Sequence, residues 1–221
     1  MNLRNCFIPS YNPLDLVEAN RSQRVSETDT FTPARYRQMR AHFPSHTKAI
    51  LDVGCNTGRG GAVLKACDPA YELTGLDCVP ERLAALDKTV YQQVLCGFSS
   101  NIPVGNNSFD VIVGGEFIEH VPPSQIDTTL VEFFRVLRLK GRLLLTPPNP
   151  DYLKNKLKNL SVLQEESHLT QHYPDALAQR LRLIGFSSIQ VFGSGRVSAY
   201  LGQRFPWLSV YGSYLIQGDK W

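Results

Sequence analysis

Short apolar runs alternate with amphipathic segments along the chain from residue 49 onward. The apolar runs predict buried strands over residues 49–53, 71–76, 93–96, 109–113 and 142–146. Helices are predicted over residues 59–67, 81–90 and from Ser124, and Gly141 is expected to end the last of these as a left-handed cap. Because strands and helices alternate at this spacing, the pattern predicts βαβ units and a parallel sheet.

The C-terminal part of the chain departs from this alternation. A helix is predicted over residues 174–184, ended by Gly185, and strands follow over residues 188–192 and 211–216. No helix is evident between these two strands, so the last one should return antiparallel at or near the sheet edge. The predicted fold class is α/β: a Rossmann-like, seven-stranded, mostly parallel sheet with an antiparallel last strand and helices on both faces.

The first 45 residues form a separate part of the pattern, polar with scattered aromatic side chains. Pro33 is expected to open a helix over residues 34–42, because proline fits the first helical turn. We interpret residues 1–45 as an N-terminal arm or cap and residues 46–221 as the main domain. Residues 147–173, which follow the fifth strand, are expected to form a lid over the substrate.

The bulk composition excludes several classes of protein. The formal net charge of +3 is smaller than a dedicated nucleic-acid binder would carry. The five cysteines include no CxxC pair, so a disulfide framework or a thiolate zinc site is not expected. No signal-peptide pattern opens the chain, and no apolar run reaches the roughly 20 residues that span a bilayer. We therefore expect a cytoplasmic protein without a membrane span.

A glycine-containing turn follows the first predicted strand, in the segment LDVGCNTGRG of residues 51–60. Gly54 lets the chain leave the strand sharply, and Gly58 lets the backbone approach a ligand and begin a helix. Exposed amides at the start of that helix favour anionic or electron-rich groups. Asp77, about 20 residues further along at the end of the second strand, can accept both hydroxyls of a ribose. Together these features predict a nucleotide-type ligand.

Four segments in this order resemble the class I S-adenosylmethionine (SAM)-dependent methyltransferases of the small-molecule type: ILDVGCNTGRGG, LTGLD, NNSFDVIVGGEFIEHV and RVLRLKGRLLLTPPN. The resemblance implies SAM as the cofactor. It also implies that Asp52, Gly54 and Gly58 shape the methionine pocket and that Asp77 binds the ribose. The expected cofactor-binding residues are Asp52, Gly54, Cys55, Asn56, Gly58, Asp77, Cys78, Gly97, Phe98, Gly115 and Glu116.

The chain departs from this family after the third strand. The family often has an acidic residue there, facing the amino group of adenine, whereas this chain has Cys-Gly-Phe-Ser at residues 96–99. Adenine is therefore expected to be held by backbone groups and by packing against Cys78, Val79 or Phe98.

A second group of polar residues follows the fourth strand, in the segment EFIEH of residues 116–120. On a helical turn Glu116, Glu119 and His120 would share one face, and His168 occurs later in the predicted lid. These four side chains can hold a divalent ion such as Mg²⁺ or Mn²⁺, which would lower the pKa of a substrate hydroxyl. Without a metal, His120 or His168 can act as a general base, with Glu119 in support.

This pattern resembles the Glu-x-x-Glu-His…His set of metal-dependent 2′-O-methyltransferases of small-RNA 3′ ends, and the Glu-x-x-Glu-His of ubiquinone-pathway O-methyltransferases. We expect methyl transfer to a hydroxyl of a small molecule, sugar or glycan. The alternatives are an RNA 3′-end 2′-O-methyltransferase, which needs a basic groove, and a SAM-binding module without catalysis. Nucleic acid is not the expected partner. Lys154, Lys156 and Lys158 either recruit an anionic acceptor or form a solvated surface.

Overall fold

The computed structural model describes residues 12–22 and 29–221, so residues 1–11 and 23–28 of the predicted arm lie outside the described residues. The strands are β1 (Ala49–Val53), β2 (Glu72–Asp77), β3 (Tyr91–Cys96), β4 (Phe109–Gly115), β5 (Leu137–Thr146), β6 (Ser187–Ser194) and β7 (Ser213–Asp219). The α-helices are α1 (Pro13–Ser22), α2 (Thr32–Arg40), α3 (Arg59–Cys67), α4 (Pro80–Ala84), α5 (Ile126–Val136), α6 (Leu153–Leu157), α7 (Pro174–Ile184) and α8 (Ser198–Leu201). None of these described helices is long and apolar enough to cross a membrane.

The seven strands form one sheet in the order β3-β2-β1-β4-β5-β7-β6. Strands β1 to β5 run parallel to one another, whereas β7 pairs antiparallel with both β5 and β6. The predicted fold class is confirmed, and the antiparallel strand lies one place inside the edge that β6 forms. The strand order reverses between β1 and β4, and ligands of such sheets bind at this point, beyond the carboxyl ends of the strands.

Apolar side chains fill a layer on each face of the sheet. On one face, α5 and α7 bury Leu130, Phe133 and Leu181 completely. On the other face, α2 and α3 contribute Met39 and Leu64, which are also fully buried. Each such side chain contributes about 1.5–3 kcal/mol when it leaves water. Packing on both faces restrains the sheet. The strand ends from which the loops of the carboxyl edge begin therefore have fixed positions.

The predicted helix cap at Gly141 is wrong. Helix α5 ends at Val136, where the chain passes directly into β5. Gly141 lies inside that strand, and Lys140 is the residue with a left-handed φ of 65°. A side chain at position 141 would place its Cβ 2.8 Å from the carbonyl oxygen of Arg138 and 2.9 Å from that of Asp110. Glycine is therefore needed here for close backbone approach, not for a helix end.

Two further elements differ from the predicted pattern. Helix α4 ends at Ala84, well before the predicted end at residue 90. Asp87 favours a turn there, because its Oδ1 accepts hydrogen bonds from the backbone N–H and the hydroxyl of Thr89. Such bonds compete with helical hydrogen bonding. Helix α8 lies in a stretch that was expected to be a loop.

Helix α2 of the arm corresponds to the helix predicted over residues 34–42 and begins earlier, at Thr32. Asp29 precedes it and accepts hydrogen bonds from the backbone N–H groups of Phe31 and Thr32, both at 2.6 Å. These bonds satisfy amides that a helix N-terminus otherwise leaves without partners. Helix α2 packs against α3 and β4, which brings the arm to the carboxyl edge of the sheet.

Candidate functional site

A cavity of about 810 Å³ opens at the carboxyl ends of β1, β2 and β4. Its volume falls within the range of pockets that hold small molecules and cofactors. The arm, the loops after β1 to β4 and a segment of the predicted lid all contribute to its wall. The expected site residues on this wall are Gly54, Cys55, Asn56, Asp77, Cys78, Gly97, Phe98, Gly115, Glu116, His120 and His168. Asp52, Gly58 and Glu119 are not part of it.

The loop after β1 has the backbone conformation that its glycines suggest. Gly54, Asn56 and Gly58 have positive φ angles of 66°, 48° and 81°. The N–H of Gly54 donates to the carbonyl of Leu76 at 2.8 Å, which fixes the loop to β2. A side chain at position 58 would place its Cβ 2.7 Å from Leu86. Gly58 therefore shapes the loop from behind, and the loop presents the start of α3 to the cavity.

Asp77 ends β2 with its carboxylate on the cavity wall. Its Oδ2 accepts the backbone N–H of Asn56 at 3.0 Å, and its Oδ1 accepts that of Val79 at 2.9 Å. These bonds hold the side chain in one orientation. Each oxygen retains a second acceptor position, because an ionised carboxylate has about four lone-pair sites. The arrangement can accept two neighbouring hydroxyls of a ribose.

Asp52 lies behind the glycine loop. Its two oxygens accept hydrogen bonds of 2.6 Å from the hydroxyls of Tyr36 and Tyr91. Burial raises the pKa of this carboxyl to about 6, although the two hydroxyl bonds act in the opposite direction. Since Tyr36 belongs to α2 and Tyr91 to β3, the carboxyl connects both elements to β1. This position fits indirect support of the pocket, not contact with a ligand.

Residues of the arm that no sequence motif pointed to also line the cavity, Arg35 among them. Its Nη2 forms an ion pair at 3.0 Å with Oε1 of Glu116, and the Arg35 side chain is 11% exposed. Nη2 and Oε1 do not have the geometry of a hydrogen bond. Nε of Arg35 is buried and also has no hydrogen-bond partner among the described residues. Because the Arg35 side chain also lines the cavity, its guanidinium charge can attract an anionic group of a ligand there.

Glu116 leaves β4 with a left-handed φ of 51°. The helical turn expected over residues 116–120 is only a 3₁₀ turn at Ile118–His120, so Glu116 points to Arg35 and does not join the following residues. The ligand atoms of Glu119, His120 and His168 lie within 4.8 Å of one another. We call these three residues the carboxylate–histidine group. Glu116 lies outside it, which corrects the four-residue set expected from the sequence.

Glu119 is 1% exposed, and neither carboxylate oxygen has a hydrogen-bond partner among the described residues. Burial raises the pKa of this carboxyl well above its usual value, and the nearby charge of Glu116 adds to the effect. A buried charge without a partner is strongly unfavourable. The carboxyl is therefore either protonated or paired with a bound cation.

The two histidines of the group have defined tautomers. Nδ1 of His120 lies 2.8 Å from the carbonyl oxygen of Ser167, and Nδ1 of His168 lies 2.8 Å from that of Val162. Because a carbonyl only accepts, Nδ1 carries the proton in each ring and Nε2 is the basic nitrogen of the neutral form. Burial lowers the pKa of His120, which favours that neutral form. His120 can thus accept a proton from a molecule in the cavity.

The chain resembles known proteins over its central part. A family model described as a methyltransferase domain matches residues 50–141. The chain is 28% identical over 142 residues to the malonyl-[acyl-carrier protein] O-methyltransferase of Laribacter hongkongensis, covering 59% of this chain and 46% of that protein. It is 30% identical over 130 residues to the demethylmenaquinone methyltransferase of Thermotoga maritima, covering 57% and 56%. The matched part spans about half the length of these curated relatives.

The fold itself is shared with solved structures. A SAM-dependent methyltransferase from Archaeoglobus fulgidus matches with a TM-score of 0.67 at 17% identity, over 85% of this chain and 92% of that one. Residues 50–141 thus match a methyltransferase domain, and the chain has the fold of the class I SAM-dependent methyltransferases. This confirms the resemblance carried by the four sequence segments.

The cavity of the methyltransferase fits SAM, the cofactor of its family. Asp77 and the glycine loop offer acceptors and amides for a nucleoside, and the guanidinium of Arg35 lies on the wall, where it can attract a carboxylate. At another part of the wall, burial and the charge of Asp77 raise the pKa of Cys78 to about 12, so this thiol is neutral. Gly97 keeps the space in front of its backbone open, with no atom closer than 4.0 Å to a Cβ placed there. Cys78, Gly97 and Phe98 can therefore take a flat ring such as adenine.

Residues 147–173 of the methyltransferase contain α6 and a 3₁₀ turn at Val162–Gln164, and residues 165–168 line the cavity. The backbone N–H groups of Leu169 and Thr170 donate to the carbonyl of Glu119 at 2.8 and 3.0 Å. The segment is thus tied to the turn that carries the carboxylate–histidine group. Its role as a lid stays a prediction.

Proposed function

We propose that this methyltransferase transfers the methyl group of SAM to a hydroxyl oxygen of a small organic acceptor. The observation that carries the proposal is the presence of His120 and His168 on the wall of the cavity that also contains Asp77 and the glycine loop. A hydroxyl loses its proton when its oxygen is methylated. A basic nitrogen in contact with the same cavity can take that proton.

The residues of the chain supply binding, orientation and proton transfer. When bound, SAM supplies an activated methyl group on a sulfonium sulfur, which an oxygen nucleophile can take in one displacement. Asp77 and the glycine loop fix the nucleoside, so the reacting atoms can be held close and aligned. Nε2 of His120 accepts the proton of the acceptor hydroxyl, because the lowered pKa of this ring keeps it neutral near neutral pH.

A small, partly apolar acceptor fits this cavity better than RNA does. Apolar side chains next to His120 on the wall are Phe117, Val121 and Pro122. Two of the three arginines on the wall face a carboxylate, since Arg35 faces Glu116 at 3.0 Å and Arg59 faces Asp29 at 3.7 Å, and Arg82 donates to the backbone carbonyl of Asn20. An RNA end would need uncompensated basic side chains along a groove. The Laribacter hongkongensis relative is named as an O-methyltransferase, which supports oxygen as the acceptor atom. Sugars stay among the acceptors to test.

We also propose that the carboxylate–histidine group can take a divalent cation. Glu119 contributes two buried oxygens that lack hydrogen-bond partners among the described residues. Nδ1 of each histidine is held by a carbonyl, which is the usual support of a metal-binding imidazole. Two imidazoles and one carboxylate suit Mn²⁺ or Zn²⁺ better than Mg²⁺, which prefers oxygen ligands. With a cation at this position, Nε2 of His120 would be a ligand and not the base, and the cation would instead lower the pKa of an acceptor hydroxyl.

Calorimetric titration with S-adenosylhomocysteine (SAH), with and without Mn²⁺, tests the cofactor and the cation separately. We expect SAH to bind, and we expect a separate Mn²⁺ heat that disappears in Glu119→Gln while SAH binding remains. Absence of SAH binding in every condition would reject the proposed activity. SAH binding without a Mn²⁺ heat would reject only the cation.

Transfer of labelled methyl from SAM to a panel of catechols, hydroxyquinones and sugars tests the acceptor atom. We expect the label on an oxygen, and a transfer rate reduced on the order of 10²- to 10⁴-fold in His120→Asn, which removes the proposed base. Label found on carbon would overturn the assignment to oxygen. A His120→Asn variant with normal transfer would remove His120 as the base.

A further inference from the structure

Four leucines of the segment between β5 and α7 are exposed to solvent. Leu157 is 78% exposed, and Leu153, Leu160 and Leu163 are each between 45% and 49% exposed. We call these four residues the leucine surface. The described residues contain seven exposed leucines in all, and four of them fall within these eleven positions. Scattered exposed leucines are ordinary, but such a concentration marks an interaction site.

Aromatic side chains lie beside the leucine surface. Leu153 and Tyr173 line one shallow groove together with Leu208, and Tyr173 is 43% exposed. Trp207, next to Leu208 in the chain, is 68% exposed and packs edge-on against Phe205. Tyrosine and tryptophan favour the boundary between apolar and aqueous phases, because one end of the ring is apolar and the other polar.

Lysines alternate with the leucines. Lys154, Lys156 and Lys158 lie in the same stretch, and Asp151 is the one acidic residue between positions 151 and 164. Lys156 pairs with Asp151 at 2.5 Å, whereas Lys154 and Lys158 have no ion pair within the described part of the chain. The surface therefore combines apolar side chains with two lysines that pair with no carboxylate of the described residues, and the acidic residues Glu165 and Glu166 follow it in the chain.

The leucine surface is connected to the cavity through the same stretch of chain. Val162 belongs to the 3₁₀ turn beside Leu163, and its carbonyl accepts the hydrogen bond from Nδ1 of His168 on the cavity wall. Residues 165–168, which follow this turn, form part of that wall. Whatever docks on the leucine surface is thus held close to the wall that carries the proposed base.

We propose that the leucine surface docks the methyltransferase on an anionic lipid bilayer. Leucine side chains that enter the boundary between headgroups and acyl chains, with lysines contacting anionic headgroups, are the usual combination for binding at a membrane surface. A protein partner of matching charge would have to place acidic groups between the exposed leucines. An anionic bilayer has an apolar acyl region for the leucines directly beneath the negative headgroups that the lysines contact. The proposal concerns a surface outside the cavity and does not depend on the identity of the methyl acceptor.

Sedimentation of the full chain with vesicles tests this docking. We expect the protein to bind vesicles of mixed phosphatidylglycerol and phosphatidylcholine, to bind pure phosphatidylcholine more weakly, and to dissociate as salt concentration rises. Leu157→Glu should reduce the partition coefficient on the order of tenfold, since one buried leucine is lost and a negative charge is added. Lys154→Gln with Lys158→Gln should abolish the preference for anionic vesicles.

Leu139→Glu is the matched control. Leu139 is 66% exposed, but it lies near the start of β5, at the opposite edge of the sheet from the leucine surface. Its substitution should leave vesicle binding unchanged, and SAH affinity should be unchanged in all variants. Absence of vesicle binding, or equal loss in Leu139→Glu, would overturn the proposal. A protein dimer that Leu157→Glu dissociates, without vesicle binding, would also overturn it and assign the surface to a second copy of the chain.

Discussion

Asp52 and Asp77 are acidic residues on neighbouring strands whose surroundings give them different chemistry. The carboxylate of Asp77 faces the cavity and accepts two backbone N–H groups. The carboxyl of Asp52 is fully buried, and both oxygens are occupied by tyrosine hydroxyls. A ribose can therefore reach Asp77 and cannot reach Asp52. An aspartate can therefore contact a ligand at position 77, whereas at position 52 it holds α2 and β3 against β1.

Asp77→Asn should lower the affinity for SAH by at least about tenfold. The amide keeps one acceptor oxygen, but its NH₂ group would face a backbone N–H and could not accept from a ribose hydroxyl. Loss of a charge-assisted hydrogen bond typically removes about 1.5–3 kcal/mol. Calorimetry measures the affinity, and circular dichroism confirms that the fold is kept.

Asp110→Asn provides the control for that experiment. Asp110 also accepts two backbone N–H groups, from Lys48 and Ala49, but it lies at the amino end of β4, away from the cavity. Its substitution should reduce stability and leave SAH affinity unchanged. If both variants lost affinity equally, Asp77 would act through stability alone.

Arg35→Met should remove the preference of the protein for a ligand with a carboxylate. Arg35 lines the cavity with a side chain that is 11% exposed and carries a positive charge, so we expect it to bind the carboxylate of the methionine part of SAM. A charged hydrogen bond of this kind contributes about 1.5–3 kcal/mol. SAH should lose about tenfold or more in affinity, while the decarboxylated analogue of SAH should bind wild type and variant equally. A parallel loss for both ligands would contradict this role.

The sequence indicated the part of the site that is built from strand ends. Asp77 and Gly97 directly follow predicted strands and Glu116 lies three residues beyond one, and strand direction alone brings such residues to one edge of the sheet. Arg35 could not be found this way, because its place depends on how a helix distant in sequence docks. The group formed by Glu119, His120 and His168 was indicated by residue type, but the left-handed φ of Glu116 that separates this residue from it has no signal in the sequence.

Among the elements, helix α2 completes the cavity. An ideal Cβ at Gly60 of α3 would lie 2.1 Å from Cζ of Tyr36, so glycine allows the two helices to approach closely. The Tyr36 hydroxyl then reaches Asp52, and the adjacent Arg35 reaches Glu116. Docking of α2 thus sets the position of Arg35 relative to the glycine loop.

Gly60→Ala should displace α2 and weaken SAH binding. The added methyl group overlaps an aromatic ring and not a flexible chain end, so the Tyr36–Asp52 hydrogen bond should be lost. Overpacking of this kind typically reduces stability by about 1–3 kcal/mol, against a gain of about 1 kcal/mol from higher helix propensity. Urea unfolding and SAH calorimetry measure the two effects.

Gly105→Ala is the matched change, because a Cβ at Gly105 would meet nothing within 4 Å. We expect it to leave both stability and SAH affinity close to those of the wild type. If Gly60→Ala and Gly105→Ala had the same stability and SAH affinity, close contact at Gly60 would not hold α2 in place. That result would contradict the role of α2 in completing the cavity.

The elements that were predicted well are those set by local periodicity. Helices α3 and α7 and strand β1 have the predicted bounds, since apolar side chains repeat there with an uninterrupted period. Helix α4 was predicted too long because a side-chain hydrogen bond of Asp87 outweighs the pattern. Gly141 was misassigned because its requirement comes from the backbone of β4, which is remote in sequence.

On the scale of the whole molecule, His172 joins three parts of the fold. Its Nε2 lies 2.9 Å from the Thr170 hydroxyl and 3.3 Å from the carbonyl of Ile118, and Tyr214 of β7 donates to its backbone carbonyl at 2.9 Å. The side chain is 8% exposed, and burial lowers its pKa to about 4. The folded protein therefore requires the neutral imidazole.

This burial makes stability depend on pH. The unfolded chain protonates His172 near the ordinary histidine pKa of about 6.5, whereas the folded protein does so only near pH 4. Between these values the unfolded state binds more protons, so the contribution of His172 to stability is present above about pH 6.5 and is lost as pH falls. Asp52 acts in the opposite direction, because its folded pKa of about 6 is raised. The pH dependence of wild-type stability therefore does not report on His172 alone.

The difference in stability between the wild type and His172→Gln does report on His172 alone, because the contributions of the other titrating groups cancel in it. We expect the free energy of unfolding of the wild type, minus that of the variant, to fall by about 3 kcal/mol between about pH 7 and pH 4. Urea unfolding at a series of pH values measures this difference, and His46→Gln controls for the removal of an exposed histidine. A difference that stays constant across the range would mean that the folded protein accommodates the imidazolium, and that His172 does not couple the lid segment to the stability of the fold.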